Sequence, residues 1–179
     1  MRWYASGAAL SEQLPWFERT FRFEFPVSVY PALRVRLFGT PARLEELTSG
    51  VAGEILRRRP DEKWSAQENA GHLLDLEPLW NARIDDFLAG RETLTAADLT
   101  NRSTHEGRHN ERALEEILRA FRATRHALVA RLRGQDPALF ARTALHPRLE
   151  APMRLVDHLF FVAEHDDHHL ARISELTAR

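Results

Sequence analysis

The sequence predicts an all-α protein, a four-helix bundle preceded by an extended amino-terminal arm. Apolar residues recur at three- and four-residue spacing in four separate segments, which is the period of an amphipathic helix. Helix start and stop signals bound these segments. The first forty residues differ, because phenylalanines alternate there with charged residues in one stretch that is followed by prolines. We therefore divide one predicted domain into an arm over residues 1–40 and a bundle over residues 41–179.

The predicted arm contains the stretch FRFEFPVSVYP. Phe21, Phe23 and Phe25 alternate with charged residues, and this period of two is typical of an extended segment with one buried face. Pro26 and Pro31 argue against a central strand, because proline donates no backbone hydrogen bond to a sheet. We expect the arm to lie across the helices or across a second subunit. A short helix is the alternative.

The first predicted helix follows Pro41 and ends near Pro60. Apolar residues repeat there at helical spacing in spite of two glycines, at Leu44, Leu47, Val51, Ile55 and Leu56. Only a few residues separate this segment from the next helix. Such a short link favours antiparallel neighbours.

The second predicted helix begins at Ser65. Ser65 and Glu68 have the spacing of a capping box, in which each side chain bonds the backbone N–H of the other residue. The helix should end before Gly90, which can adopt the left-handed conformation of a helix terminus. Pro78 should kink it, because proline removes one helical hydrogen bond.

The third and fourth predicted helices cover residues 111–133 and 153–176. The links before them, over residues 90–110 and 135–152, are each about twenty residues long, which is uncommon without a function. Links of this length permit crossovers along the bundle.

Composition narrows the function classes. The 179 residues are 44% hydrophobic and 28% charged, as in a folded globular domain, and the formal net charge of −1 does not favour nucleic acid as a partner. No segment is apolar enough to span a membrane and the start does not resemble a signal peptide, so we expect a cytoplasmic protein. Because the chain has no cysteine, a metal would need imidazole or carboxylate ligands, and thiol chemistry would need an external thiol.

Three histidines are candidate metal ligands. His165 and His169 lie one turn apart on the face of the fourth helix that should be buried, a spacing with which one helix offers two imidazoles to one ion. His72 lies on the mostly apolar face of the second helix. Together they would leave at least one coordination position open, as reactive metal sites do. The alternative is that these histidines only pack in the core.

The other histidines are weaker candidates. His168 lies off the buried stripe, whereas His158 is two turns from His165 and is a candidate for the same cavity. His105 and His109 repeat the four-residue spacing within THEGRHN, which reads as a loop. The two histidines that remain are read as surface or packing residues: His126 and His146.

Charged residues near the three histidines suggest supporting roles. The acids that could orient the imidazoles, or equally form surface ion pairs, are Glu68, Asp75, Asp157 and Asp166. Arg83 lies farther along the same helical face as His72. It could meet an anionic substrate, with an ion pair at the edge of the core as the simpler interpretation.

The stretches EKWSAQENAGHLLDLEPLW and PMRLVDHLFFVAEHDDHHLARI resemble the DinB/YfiT-like superfamily, a damage-inducible family unrelated to the DNA polymerase of the same name. The shared motifs are Trp64, eight residues before the first histidine, and a terminal His-x-x-His-His. The resemblance implies helices in up-down-down-up order and a frequent homodimer. It also implies one metal ion held by His72, His165 and His169.

The resemblance extends to function. It implies a metal-dependent enzyme acting on a small molecule, in the first place a thiol-dependent S-transferase with a low-molecular-weight thiol as cosubstrate. A hydrolase that uses the same three histidines is the close rival. The alternative is a metal- or ligand-binding stress-response protein without turnover. Three imidazoles suit Zn, Ni, Fe or Mn, and spacing does not choose among these divalent ions.

Overall fold

Helices make up most of the chain in the computed structural model, which describes residues 13–178. The helices are α1 Tyr30–Thr48, α2 Gly53–Arg57, α3 Ala66–Asp75, α4 Glu77–Ala89, α5 Arg102–Glu106, α6 Leu114–Arg131 and α7 Leu155–Thr177. A small sheet contains β1 Thr143–His146 and β2 Ala151–Arg154. No described helix is both long and apolar enough to cross a bilayer.

The four-helix bundle consists of α1, the α3–α4 pair, α6 and α7. Helices α1 and α7 run in the same direction, since their contacts advance together: Arg36 binds Glu164, and Arg43 binds Asp167. Helix α6 is antiparallel to α1. The pairs that show this are Tyr30 with Leu132, and Glu45 with Arg122.

The α3–α4 pair runs opposite to α7. Asn69 near its start contacts His169, whereas Phe87 near its end contacts His158. Helix α6 runs parallel to α4, as shown by the pairs Glu77 with Arg125 and Asn81 with Arg131. The bundle order is therefore up-down-down-up, and the predicted fold class is confirmed.

The first two bundle helices lie at opposite corners. Helix α1 packs on α6 and α7, and α3 packs on the same two helices. The expectation that the first two helices are neighbours was wrong, because α1 already ends at Thr48. The connection then turns at Gly50, with a φ of 67°, and passes through α2 before α3 begins. This longer connection can cross the bundle diagonal.

The start of α1 is a second correction. The sequence placed it after Pro41, yet the helix begins at Tyr30, so residues 30–40 are helical. Pro31 lies in the first turn, where a backbone N–H needs no helical partner. Pro41 lies inside the helix and removes one hydrogen bond without ending it.

Other local signals were read correctly. Ser65 Oγ accepts from the N–H of Glu68 at 3.1 Å, and Glu68 Oε2 accepts from the N–H of Ser65 at 2.9 Å, which completes the capping box. The helix is interrupted at Leu76, immediately before the turn that contains Pro78. Gly90 ends α4 with a φ of 67°.

The last long link contains a hairpin that the sequence analysis missed. Strands β1 and β2 pair antiparallel, with Thr143 opposite Arg154. Leu145 also exchanges backbone hydrogen bonds with Glu92 and Leu94, which ties the hairpin to the segment after α4. The fourth helix begins at Leu155 because the residues just before it belong to β2.

The stretch from Phe21 to Phe25 is non-helical, as predicted, and it packs on the chain's own α7. The rings of Phe21 and Phe161 are 5.0 Å apart, and those of Phe25 and Phe160 are 5.1 Å apart. The earliest part of the predicted arm, residues 1–12, lies outside the described residues. The described arm covers the amino-terminal half of α7, beside the site considered next.

Candidate metal centre

The three predicted histidines meet inside the bundle. His72 comes from α3, and His165 and His169 come from successive turns of the antiparallel α7. One ring nitrogen from each lies within 4.8 Å of the other two, and all three side chains are buried. Since two helices contribute them, the site depends on how α3 and α7 pack.

His169 has a fixed orientation. Its Nδ1 lies 2.8 Å from Oδ1 of Asn69, and the Nδ2 of Asn69 donates to the carbonyl of Ser65 at 2.8 Å. The second bond requires the amide oxygen to face the imidazole, so Nδ1 of His169 must carry the proton. Its Nε2 therefore presents a lone pair to the cluster, 3.2 Å from Nε2 of His165.

His72 is oriented by the loop between α4 and α6. Its Nδ1 lies 2.9 Å from Oγ1 of Thr104 in α5. The loop is held against α3 by His109, whose Nε2 lies 2.8 Å from Oδ2 of Asp75. Gly71 permits this approach, because a Cβ there would lie 2.2 Å from Cγ of His109. Thr104 and Asn69 thus orient two of the imidazoles, as the hydrogen-bond partners of histidine ligands do at metal sites.

His165 is the least satisfied of the three. Its Nδ1 is buried and has no hydrogen-bond partner among the described residues. The rings of Trp16 and Trp80 stand edge-on to it at centroid distances of 4.9 and 5.6 Å. Trp64, the tryptophan of the family motif, lies 4.7 Å from the ring of His72. Aromatic walls therefore surround the three imidazoles.

The electrostatics suit a bound cation. Burial, followed by repulsion among the neighbouring imidazoles, lowers the pKa of His165 and His169 well below the usual value of 6.5. Burial likewise lowers the pKa of His72 to about 4. All three rings are neutral near pH 7, when their nitrogens can bind a metal. The donor set therefore fits a divalent ion such as Zn²⁺ or Ni²⁺.

The four acids proposed to orient the imidazoles contact none of the three. Each has a different partner: Glu68 pairs with Arg59, Asp75 with His109, Asp157 with Arg154, and Asp166 with Arg125. Of the two roles considered for these acids, the structure shows ion pairing rather than orientation of the imidazoles, because each acid meets a basic side chain of its own. Asn69 and Thr104 were missed. Asn69 is one helical turn before His72 and could have been noticed, whereas no local signal identifies Thr104.

The remaining histidines lie outside the cluster. His168 lines the edge of the site, 5.2 Å between ring centroids from His169, and His105 is exposed on α5. His158 is fully buried against Trp80 and Phe87, away from the cleft.

A cleft leads from solvent to the three histidines, with a volume of about 140 Å³. Its walls are largely aromatic and aliphatic, and its other basic residues are Arg83, His146, Arg148 and His168. His146 was read as a surface or packing residue, but it is buried in this wall. Arg83 forms no ion pair with any described residue, contrary to the simpler interpretation of that arginine.

Comparisons with known proteins agree with this architecture. The profile of the DinB superfamily matches residues 36–173. A solved structure, YfiT from Bacillus subtilis, is similar with a TM-score of 0.76 and 21% sequence identity, covering 89% of this chain and 91% of that chain. YfiT is described as a probable metal-dependent hydrolase with an unusual four-helix bundle topology. No curated protein matches this chain.

Proposed function

We propose that this chain, which belongs to the DinB superfamily, is a metal-dependent hydrolase acting on a small molecule. One observation carries the proposal: three neutral, buried imidazoles converge at the inner end of a cleft that reaches solvent. A structural site is closed by protein ligands, whereas this one faces open space. The description of the similar YfiT structure as a probable metal-dependent hydrolase supports the same reaction class.

The chain's own residues would bind and orient the ion. His72, His165 and His169 would each supply one nitrogen, with Thr104 and Asn69 fixing the rings of the first and the last. When bound, a divalent ion supplies Lewis acidity, which makes water or a thiol a nucleophile near neutral pH. The aromatic walls limit bulk water, which strengthens electrostatic interactions inside the cleft.

A second candidate reaction is transfer of an external thiol to a small electrophile. The cleft beside the three histidines leaves space for a cosubstrate, and because the chain has no cysteine, any sulfur nucleophile in this cleft must be one. The same three histidines would serve. A bound thiol would lose its proton below its usual pKa of about 8.5 when placed beside a cation.

The first test is metal content. Protein purified without a histidine tag should contain close to one transition-metal ion per chain, measured by inductively coupled plasma mass spectrometry. The His165→Ala variant should contain far less. A metal-free wild-type protein that also fails to take up added Zn²⁺, Ni²⁺, Fe²⁺ or Mn²⁺ would refute the metal-dependent function.

The second test separates hydrolysis from thiol transfer. Metal-loaded protein is given a panel of esters, amides and reactive electrophiles, with and without low-molecular-weight thiols. Turnover without a thiol supports the hydrolase, whereas turnover that requires the thiol supports the transferase. If neither rate exceeds that of His165→Ala, the protein binds metal without turnover.

A further inference from the structure

Arg83 is a buried cation that forms no direct ion pair with any described residue. Its side chain is 1% exposed, and it donates from Nε to the carbonyl of Thr95 at 2.9 Å and from Nη1 to Nε2 of His146 at 3.0 Å. Asp86 is nearby but bonds Thr95 and Arg91 instead. Both hydrogen-bond partners of Arg83 are neutral, and Asp86 offsets its positive charge only from beyond ion-pair distance.

Arg148 is a second unpaired cation in the same cleft. It lies in the turn between β1 and β2, and its guanidinium faces the rings of Phe17 at 5.3 Å, Phe161 at 5.6 Å and Trp16 at 5.9 Å. Its Nη2 is buried without a hydrogen-bond partner among the described residues. The aromatic rings therefore hold the guanidinium in place while part of its donor capacity stays unused.

The rest of the cleft does not supply the missing negative charge. Asp98 is the one acid among the described residues that line it. Its carboxylate is exposed and accepts from the hydroxyl and N–H of Thr100 and from the N–H of Arg102. A divalent ion at the three histidines would increase the positive charge further.

We propose that Arg83 and Arg148 form an anion subsite that binds the carboxylate or phosphate group of the substrate. The inference rests on the proposed function, since it places this group in the cleft that leads to His72, His165 and His169. Guanidinium groups match the planar arrangement of carboxylate and phosphate oxygens. The substrate is accordingly a small organic oxyanion with an apolar body.

The apolar body has a surface to contact. Leu76, Leu79, Trp80 and Leu99 line the cleft together with the aromatic rings of the arm. These walls offer apolar contact but little hydrogen bonding. They favour a hydrocarbon or aromatic framework between the anionic group and the bond to be cleaved.

The binding test uses metal-free, full-length protein and simple probes. Trp16, Trp64 and Trp80 line the cleft, so tryptophan fluorescence can report its occupation. Benzoate and phenyl phosphate should bind at least about tenfold more tightly than neutral benzamide, the effect expected from one charge-assisted hydrogen-bond pair. Added NaCl should weaken only the two anions.

Variants decide whether the arginines are responsible. Arg148→Gln should weaken benzoate binding by about tenfold, and Arg148→Lys should retain part of the affinity. Arg119→Gln, on an exposed position of α6, is the matched control and should bind as the wild type does. Arg83→Gln should also weaken benzoate binding. Circular dichroism would confirm that this variant is folded.

Equal affinity for benzoate and benzamide, or unchanged benzoate affinity in folded Arg148→Gln, would overturn the anion subsite. Because the probes are measured without metal, the result is independent of the metal content. Benzoate binding in a protein that takes up no metal would refute the proposed function and leave the subsite standing. Metal uptake by a protein that shows no preference for the anions would refute the subsite and leave the proposed function standing.

Discussion

Two polar clusters lie side by side in the bundle, and they differ in how completely the protein satisfies them. The first, here named the polar layer, receives one residue from each bundle helix: Thr40, Glu77, Arg125 and Asp166. The second is the histidine cluster of His72, His165 and His169. Asp166 follows His165 directly in the chain, yet the two side chains belong to different clusters.

The polar layer is almost complete in itself. Arg125 donates to Glu77 at 2.6 and 2.9 Å and to Asp166, which also accepts from the hydroxyl of Thr40 at 3.0 Å. Oε2 of Glu77 is its one buried side-chain atom without a partner. Along every bundle helix, the layer separates two apolar core clusters. Its ionic bonds connect α4, α6 and α7 in one register.

The histidine cluster is also buried, but its hydrogen bonding is incomplete. The nitrogens of the three rings face one another, and among the described residues Nδ1 of His165 has no hydrogen-bond partner and no carboxylate joins the cluster. Buried polar groups are normally satisfied, so such a gap calls for an explanation. The comparison teaches that the satisfied cluster holds the helices together, whereas the unsatisfied one has free nitrogens that the proposed metal ion would bind.

The largest expected effect is the loss of stability when the polar layer is disrupted. Arg125→Met should lower the free energy of unfolding by about 3–5 kcal/mol, because it leaves two carboxylates buried without their cation. Urea denaturation would measure it. Arg122→Met on the same helix removes only a half-exposed ion pair with Glu45 and should cost less than about 1 kcal/mol. Similar losses of unfolding free energy in both variants would mean that the polar layer does not hold the helices together more strongly than a surface ion pair does.

Substitutions in the histidine cluster should instead affect metal binding more than stability. His72→Ala, His165→Ala and His169→Ala should each weaken metal binding by more than about 100-fold, the upper end of outer-partner effects. Competition with a chromophoric chelator would measure it. The metal-free variants should lose less stability than Arg125→Met. His168→Ala is the control, and a loss of metal affinity as large as in the other three would contradict the grouping.

His158 sharpens the comparison, because it is buried without a hydrogen-bond partner in the described part of the chain and does not line the cleft. Burial lowers its pKa well below 6.5, so below that pH the unfolded chain binds a proton that the folded chain does not. Stability should therefore fall as the pH falls below about 6.5.

His158→Leu should remove part of this dependence. Between pH 7 and pH 5, we expect the metal-free variant to lose about 2 kcal/mol less of its free energy of unfolding than the wild type, at 1.36 kcal/mol per pH unit. Chemical denaturation at several pH values would show it. Parallel pH profiles for both proteins would mean that this buried histidine titrates normally.

The smallest expected effect concerns the orienting hydroxyl. Thr104→Val keeps the shape of the side chain but removes the acceptor for Nδ1 of His72, so metal affinity should fall by about tenfold. The chelator competition assay applies again. Thr100→Val, in the same loop but outside the site, should bind metal as the wild type does. Equal affinity in the two variants would mean that Thr104 does not orient the imidazole.

Local sequence patterns determined much of this protein. The capping box at Ser65, the stop at Gly90 and the face shared by His165 and His169 could be predicted, because each depends on residues within a few positions of one another. The alternating phenylalanines likewise predicted the non-helical stretch from Phe21 to Phe25. Pro31 and Pro41 led to a wrong start for the first helix. Proline is tolerated in the first turn, as at Pro31, where its missing N–H costs little, and inside a helix, as at Pro41, where packing offsets the lost bond.

Only the tertiary structure decided which long-range partners meet. Thr104 contacts His72 because the loop between α4 and α6 folds onto Gly71. Arg148 reaches the cleft because an unforeseen hairpin ties its turn to the segment after α4. The diagonal packing of α1 and α3 likewise depends on a connection through α2. Periodicity identifies the buried face of a helix, but it carries no information about which distant loop or helix that face will contact.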